Sequence, residues 1–166
     1  MKKIAIAIIL LISLSASSGS LQASEWHYGF ELAYFKLNTE SVDDPDNMGL
    51  LLGYSWDIDY GSVAIEGELT STFEDGLAGS KNTSVDTAGI YGIYRTRNMN
   101  QKDMGPYFKL KAGTAYTDLT IANANKTNTK LSGGLGFGIN MISVAFELDY
   151  TRINDDLDMF NLLVLF

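Results

Sequence analysis

The side chains with chemistry to offer are charged residues that interrupt otherwise apolar segments of the chain. They are five carboxylates and three cations: Glu31, Glu66, Glu68, Arg95, Lys109, Lys111, Glu147 and Asp149. Each lies on the face of its segment opposite a run of apolar or aromatic residues, so all eight are expected to point away from the apolar surface. Burying a charge is costly unless it is paired. The set therefore predicts a buried network of ion pairs, and a gated path for protons or ions is the alternative.

Few other residues are suited to chemistry. The chain has no cysteine and a single histidine, which excludes disulfides, thiolate metal sites and lipoprotein acylation. The spacing suggests no Ser-His-acid arrangement, and His27, near the start of the first strand, is expected to be a lone histidine of the lumen or of the interface. Gly134, Gly136 and Gly138 alternate within a strand pattern, which indicates room for long side chains opposite rather than a nucleotide loop. We expect no enzyme activity, no cofactor and no metal site.

Segments with a two-residue period must position these charges. Eight are predicted, at residues 26–37, 49–57, 62–73, 85–96, 106–120, 130–140, 142–152 and 159–166. In the fourth segment both faces are apolar. We place Arg95 on the inward face, because a guanidinium that faces the hydrocarbon of a membrane costs roughly 2–4 kcal/mol near the membrane midplane. The polar stretches 38–48, 74–83 and 121–129 are predicted loops, and 97–105 and 154–156 are predicted turns. Together these features predict an all-β fold, an eight-stranded antiparallel up-and-down transmembrane β-barrel.

Aromatic residues on the outward faces sort into two groups, as expected for girdles at two membrane interfaces. One interface receives Trp26, Tyr28, Tyr54, Trp56, Tyr94, Phe108 and Phe166, and the other receives Tyr34, Phe73, Tyr116, Tyr150 and Phe160.

The N-terminal residues have the pattern of a cleavable secretory signal. Lys2 and Lys3 precede an apolar run at 4–14 and then small polar residues up to Ala23. The run is too short for a helical anchor, which needs roughly 20 residues, so we expect a signal peptide at 1–23 and one barrel domain at 24–166. Without the two signal lysines, 10 basic residues face 20 acidic ones, a net charge of −10. Nucleic-acid binding through a basic patch is therefore not expected.

The segments GIYGIYRTR (residues 89–97) and YFKLKAGTAY (residues 107–116), with the final Phe166, resemble the outer-membrane β-barrel superfamily. This superfamily includes the transmembrane domain of outer-membrane protein A and the small OmpX/Ail group. The resemblance implies a porin-like barrel in the outer membrane of a Gram-negative bacterium, in contact with lipid and lipopolysaccharide. It also implies that the barrel assembly machinery reads the apolar face of the last strand as an insertion signal. That face consists of Phe160, Leu162, Val164 and Phe166.

The lumen of so narrow a barrel is normally filled by side chains, which argues against a general porin. The expected function is that of a small monomeric barrel with a structural or surface-interaction role. The alternatives are an adhesin or host-binding barrel, a lipid A modifying enzyme and a small ion pore. Acidic residues of the predicted loops form either a solvated rim or a site for divalent cations that bridge to lipopolysaccharide phosphates. They are Glu40, Asp43, Asp44, Asp46, Glu74, Asp75, Asp155 and Asp156.

Overall fold

The computed structural model describes residues 25–37, 44–78, 81–96, 104–121 and 124–166, and these residues form strands and turns. No helix in these ranges is long and apolar enough to cross a membrane. The signal peptide predicted at 1–23, Glu40, Asp43 and most of the turn predicted at 97–105 lie outside the described residues. The strands are β1 (Glu25–Leu37), β2 (Asp46–Ile58), β3 (Gly61–Glu74), β4 (Gly76–Ala78), β5 (Lys81–Thr96), β6 (Met104–Ile121), β7 (Ala124–Met141), β8 (Val144–Asn154) and β9 (Leu157–Leu165).

The strands close into a barrel with eight positions around its circumference, and we call the strand or strands at one position a stave. Every pairing is antiparallel, and β9 pairs with β1 to complete the ring. The short β4 continues the stave of β3 beyond Asp75, because both strands pair with β5. The predicted eight-stranded antiparallel barrel is therefore confirmed.

Side chains along each strand point alternately to the apolar exterior and into the lumen, because successive side chains of a strand point to opposite faces. In β5, Ile90 is exposed, whereas its neighbours Gly89 and Tyr91 are buried in the lumen. The orientation predicted for this strand from Arg95 is thus correct. The exposed large side chains form a continuous apolar band around the outside, as a lipid-facing surface requires.

The strands reach unequal heights at one end of the barrel. We call this the loop end, because the β1–β2, β4–β5, β6–β7 and β8–β9 connections lie there, and the opposite end the turn end. Pairing between β6 and β7 continues to Ile121 and Ala124, whereas pairing between β7 and β8 stops at Gly133 and Arg152. We call β4 to β7 the tall wall and β8, β9, β1 and β2 the low wall.

Two loop predictions are wrong in the tall wall. Most of 74–83 and 121–129 is strand, with β4 paired to residues 81–83 and with β6 and β7 paired almost to their connection. These polar residues lack the alternation of apolar and polar side chains that identifies a strand. Their backbones nevertheless continue the hydrogen-bonded ladder of the neighbouring strand residues. A smaller error lies at the turn end, where Ile142 and Ser143 form the β7–β8 turn and do not begin a strand.

Candidate functional site: the charged lumen

The structure places all eight predicted charged residues in the lumen. Neighbouring inward positions on one strand supply them in pairs from β3, β6 and β8, while β1 and β5 supply Glu31 and Arg95 singly. The Glu66 side chain is completely buried, and that of Arg95, nearest the turn end, is 12% exposed. The charges therefore lie within the wall-enclosed part of the barrel.

Lys109 and Arg95 hold three carboxylates in one cluster. The Nζ atom of Lys109 lies 2.7 Å from Glu147 Oε2, 2.7 Å from Asp149 Oδ2 and 3.5 Å from Glu66 Oε2. Arg95 donates from Nη2 to Glu66 Oε1 at 2.5 Å and from Nε to Glu147 Oε1 at 2.7 Å. Because these residues come from β3, β5, β6 and β8, the cluster ties together staves on opposite sides of the lumen.

Two residues outside the predicted charged set complete this cluster. His27 Nε2 lies 2.7 Å from Glu66 Oε1, and the Tyr107 hydroxyl donates to Glu147 Oε1 at 2.6 Å. His27 is therefore a lumen residue in contact with the charges. Their positions along the strands indicate that both side chains face the lumen, since His27 shares its strand face with Glu31, and Tyr107 shares its face with Lys109.

A second pair lies beside the cluster. Lys111 Nζ donates to both carboxylate oxygens of Glu68 at 2.9 Å and lies 4.4 Å from the ring centroid of Tyr91. Glu31 differs from the other seven charges. It accepts a hydrogen bond from Asn161 Nδ2 at 3.1 Å and forms no ion pair with the residues that the structure describes.

The glycines of β7 make room for this arrangement. A methyl group on Gly136 would collide with the Asp149 carboxylate, and one on Gly138 would collide with the Tyr107 ring. The space that two missing side chains leave is thus occupied by two members of the cluster, in agreement with the sequence-based interpretation.

Apolar side chains close the lumen at the loop end. The buried residues near the loop-end termini of β1, β5, β8 and β9 form what we call the apolar cap: Phe35, Leu37, Val85, Ile153, Leu157 and Met159. They pack in one cluster, and each is at most 6% exposed. An ion that moved along the lumen would have to displace this packed layer and would lose its hydration there, while the neighbouring polar groups of Asn47 and Thr70 are already bonded to each other and to Val85 O.

The outer surface carries the expected aromatic contacts. At the turn end Trp26 packs edge-on against Tyr54 with ring centroids 5.2 Å apart, and Tyr28 stacks on Phe166 at 5.6 Å. Near the loop end Tyr150 lies 5.2 Å from Phe160.

Along β9, the predicted insertion face points outward. Phe160 and Leu162 are exposed, and Val164 and Phe166 are partly exposed. The backbone N–H of Phe166 donates to Tyr28 O at 2.8 Å, so the last residue belongs to the seam between β9 and β1.

The described acidic residues of the loop end bond to neighbouring side chains. The described part of the chain contains no group of three or more His, Asp or Glu side chains arranged to hold a metal ion. Asp44 instead accepts the Tyr34 hydroxyl at 2.6 Å, and Asp75 accepts Asn82 Nδ2 at 2.6 Å.

Comparison with known proteins identifies the same architecture. A family model described as an outer membrane protein beta-barrel domain matches residues 4–164. Ail, the attachment invasion locus protein of Yersinia pestis, is a similar solved structure, with 15% identity, 90% of this chain and 97% of Ail covered, and a TM-score of 0.56. Neisserial surface protein A is similar at 12% identity, with 89% and 97% covered and a TM-score of 0.57. The N-terminal barrel of Pseudomonas aeruginosa OprF shares 16% identity, with 84% and 96% covered and a TM-score of 0.51. No curated protein sequence matches the chain.

Proposed function

This chain belongs to the outer membrane protein β-barrel family, and from that premise we propose that it is a closed, non-enzymatic barrel of the bacterial outer membrane. Its role is structural or lies in interactions at the cell surface. The loop end faces the exterior, because β4 to β7 and the 38–45 connection extend the chain beyond the barrel at that end, and in such barrels the longer extensions are extracellular.

The filled lumen is the observation that carries this proposal. The cluster around Lys109 occupies the cross-section near the turn end, and the apolar cap occupies it at the loop end. Small barrels of this strand number have interiors just wide enough for side chains. The side chains that fill the lumen therefore connect strands across the barrel and leave no path for a steady flow of ions.

The position of the single histidine speaks against lipid A chemistry. Lipid A lies in the outer leaflet, whereas His27 is inside the lumen near the turn end and is bonded to Glu66. A general base must lie within hydrogen-bond reach of its substrate, and the barrel wall separates this imidazole from lipid. A catalytic role for His27 is thus unsupported by its geometry.

An adhesin or host-binding barrel is the second candidate, and the tall wall favours it. Residues 124–131 of β7 are almost all exposed, so this wall offers polar backbone and side chains above the low wall. The fold is similar to that of Ail. Functional residues on loops and projecting elements of a rigid scaffold are a common arrangement in proteins.

Partners follow from the surface chemistry. The apolar band faces lipid and lipopolysaccharide, and Phe160, Leu162, Val164 and Phe166 present the last strand to the assembly machinery. Ring closure by β1 and β9 leaves no unpaired stave at membrane height, which supports a monomer.

A set of measurements on the mature chain tests the proposal. We expect the protein in an outer-membrane fraction, with different gel mobility before and after boiling, and no channel events in planar bilayers. Lipid A mass spectra should be identical in a deletion strain and its parent. Steady conductance that increases in Phe35→Ala would establish a pore, and a changed lipid A mass would establish an enzyme.

A further inference from the structure

We propose that Glu31 is a neutral carboxylic acid that forms two hydrogen bonds with Asn161 and thereby fastens β1 to β9 at the seam of the barrel. This inference goes beyond the proposed function. It assigns a bound proton to one carboxyl group of the lumen and gives that proton a role in closing the barrel, independently of what the protein does at the cell surface.

The Glu31–Asn161 pair has one hydrogen bond and two unsatisfied atoms. Asn161 Nδ2 donates to Glu31 Oε2 at 3.1 Å. Glu31 is 2% and Asn161 3% exposed, and Glu31 Oε1 and Asn161 Oδ1 have no hydrogen-bond partner within the described part of the chain. Both atoms are acceptors when Glu31 is ionised, so neither can satisfy the other. An ionised Glu31 would therefore leave two buried acceptors unpaired, which is unfavourable.

One proton satisfies both atoms. A protonated carboxyl group has one O–H donor and one carbonyl acceptor, and the amide of asparagine has N–H donors and one acceptor oxygen. The two groups are complementary, because Asn161 donates to Glu31 Oε2 while the proton on Oε1 is donated to Asn161 Oδ1. The terminal torsions of both side chains have broad minima, so the second hydrogen bond requires only a rotation of the two planar groups.

The charge balance of the lumen identifies Glu31 as the protonated group. Five carboxyl groups of the lumen face three permanent cations, which leaves a net charge of −2 with His27 neutral and −1 with His27 protonated. The other four carboxylates each lie within ion-pair distance of a cation: Glu66, Glu68, Glu147 and Asp149. A buried carboxylate without such a partner is neutralised, because its ionised form is costly to desolvate.

The surroundings of Glu31 disfavour a negative charge there. Four charged side chains interact with Glu31 from β3, β6 and β8: Glu68, Lys109, Lys111 and Asp149. The two carboxylates would repel a further negative charge, and the two ammonium groups already contact other carboxylates at 2.7–2.9 Å. On β2 the residue opposite Glu31 is Gly49, which has no side chain to donate a hydrogen bond. A methyl group at Gly49 would collide with Glu31 Oε1.

The pair crosses the seam at which the barrel closes. Glu31 lies on β1 and Asn161 lies on β9, 130 positions later in the chain. The inward residues beside the pair on these two strands, Ala33 and Leu163, are apolar and buried. Hydrogen bonds are stronger in such surroundings than in water. The two hydrogen bonds therefore join the first stave to the last from within the lumen.

Infrared difference spectroscopy of the full mature chain, folded in detergent micelles at pH 7, tests for the proton. The carbonyl stretching band of a protonated carboxylic acid is separate from the bands of ionised carboxylates. We expect this band in the parent, a shift of the band in heavy water and its loss in Glu31→Gln. Glu74→Gln is the matched control, because it changes an exposed carboxyl group in the same way and should leave the band unchanged.

Urea unfolding tests the charge of Glu31. Glu31→Gln should keep the urea midpoint of the parent, because a neutral amide can also form two hydrogen bonds with Asn161. Glu68→Gln makes the same change at a carboxylate that holds Lys111, and it should lower the midpoint by leaving this cation unpaired.

Hydrogen exchange tests the role of the pair at the seam. Asn161→Leu should increase backbone exchange in residues 29–37 and 157–165 by about tenfold, since the strands there open more often when both hydrogen bonds are lost. Asn140→Leu is the control, because Asn140 shares the inward face of its strand with Gly138 but lies on β7, and exchange at the seam should stay as in the parent.

Several results would overturn the inference. They are absence of the band from the parent, its persistence in Glu31→Gln, a midpoint as low in Glu31→Gln as in Glu68→Gln, and seam exchange in Asn161→Leu equal to that of the parent. A parent without the band whose midpoint rises with sodium chloride but not with choline chloride would also overturn it, and would assign the lumen charge to a bound metal cation. Gel mobility before and after boiling shows separately whether the barrel itself is as proposed.

Discussion

The lysines of the lumen and the lysines of the tall wall have opposite physical situations. Lys109 is 1% exposed and touches three carboxylates, two of them at 2.7 Å. Lys126 is mostly exposed and reaches a single carboxylate at 4.0 Å. In the lumen, buried ion pairs join strands across the barrel, whereas the side-chain contacts that accompany the backbone ladder in the tall wall, such as Asn82 with Asp75 and Lys126 with Asp156, are exposed. The stability of the barrel should therefore depend on the lumen, whereas interactions at the cell surface should depend on the tall wall.

Removing the central cation should give the largest effect. Lys109→Met leaves Glu147, Asp149 and Glu66 with Arg95 as the remaining strong cation, and an uncompensated buried charge costs about 3–5 kcal/mol. We expect the free energy of unfolding in urea, followed by tryptophan fluorescence in micelles, to fall by at least this amount. Lys126→Met is the control and should stay within about 0.5 kcal/mol. Equal losses in the two variants would remove the distinction between lumen and wall.

Lys111 offers a milder version of the same experiment, because it holds one carboxylate instead of three. Lys111→Met should cost about 3 kcal/mol, near the lower end of the range for a broken buried pair. Adding Glu68→Leu should restore most of this loss, since an apolar pair of similar volume removes the unpaired charge. Unchanged urea resistance and gel mobility in Lys111→Met would show that the pair does not contribute to stability.

Filling the space beside the cluster should have an intermediate effect. The added methyl group of Gly136→Ala would displace the Asp149 carboxylate, and overpacking of this kind costs typically 1–3 kcal/mol. Gly67→Ala is the control, because a methyl group there meets backbone oxygens only at ordinary contact distance on the outer face. We expect urea midpoints to fall for the first variant and stay constant for the second. A larger loss at Gly67 would mean that the lumen is not the tightly packed face.

Shortening the tall wall should have the smallest effect on the barrel. Thr120 and Asn125 are register partners, so replacing residues 121–124 with Asn-Gly closes the β6–β7 hairpin at that pair with a favoured two-residue turn and keeps Leu119, which packs against the apolar cap. We expect the unfolding free energy to change by less than about 1 kcal/mol and the heat-modified gel shift to remain. A loss comparable with that of Lys109→Met would show that the projecting strands support the barrel, contrary to the comparison above.

The lumen and the tall wall also differ in how well the sequence predicts them, because their side chains lie in different environments. At membrane height every second side chain contacts lipid, so composition must alternate, and Arg95 alone was enough to orient β5. The lumen charges could also be placed inward one by one. Above the membrane no apolar environment imposes a period, and residues 124–129 of β7 have the composition of a loop.

By itself, the amino-acid sequence determined the number of staves, their inward and outward faces and the set of buried charges, because lipid and a narrow lumen select residue types at every second position. Only the tertiary structure decided which charges meet. Closure brings residues as distant in sequence as Glu66 and Lys109 across the lumen, joins His27 and Tyr107 to the cluster and leaves Glu31 with Asn161. It also decided that the walls end at different heights, since strand length above the membrane depends on the pairing of neighbouring backbones.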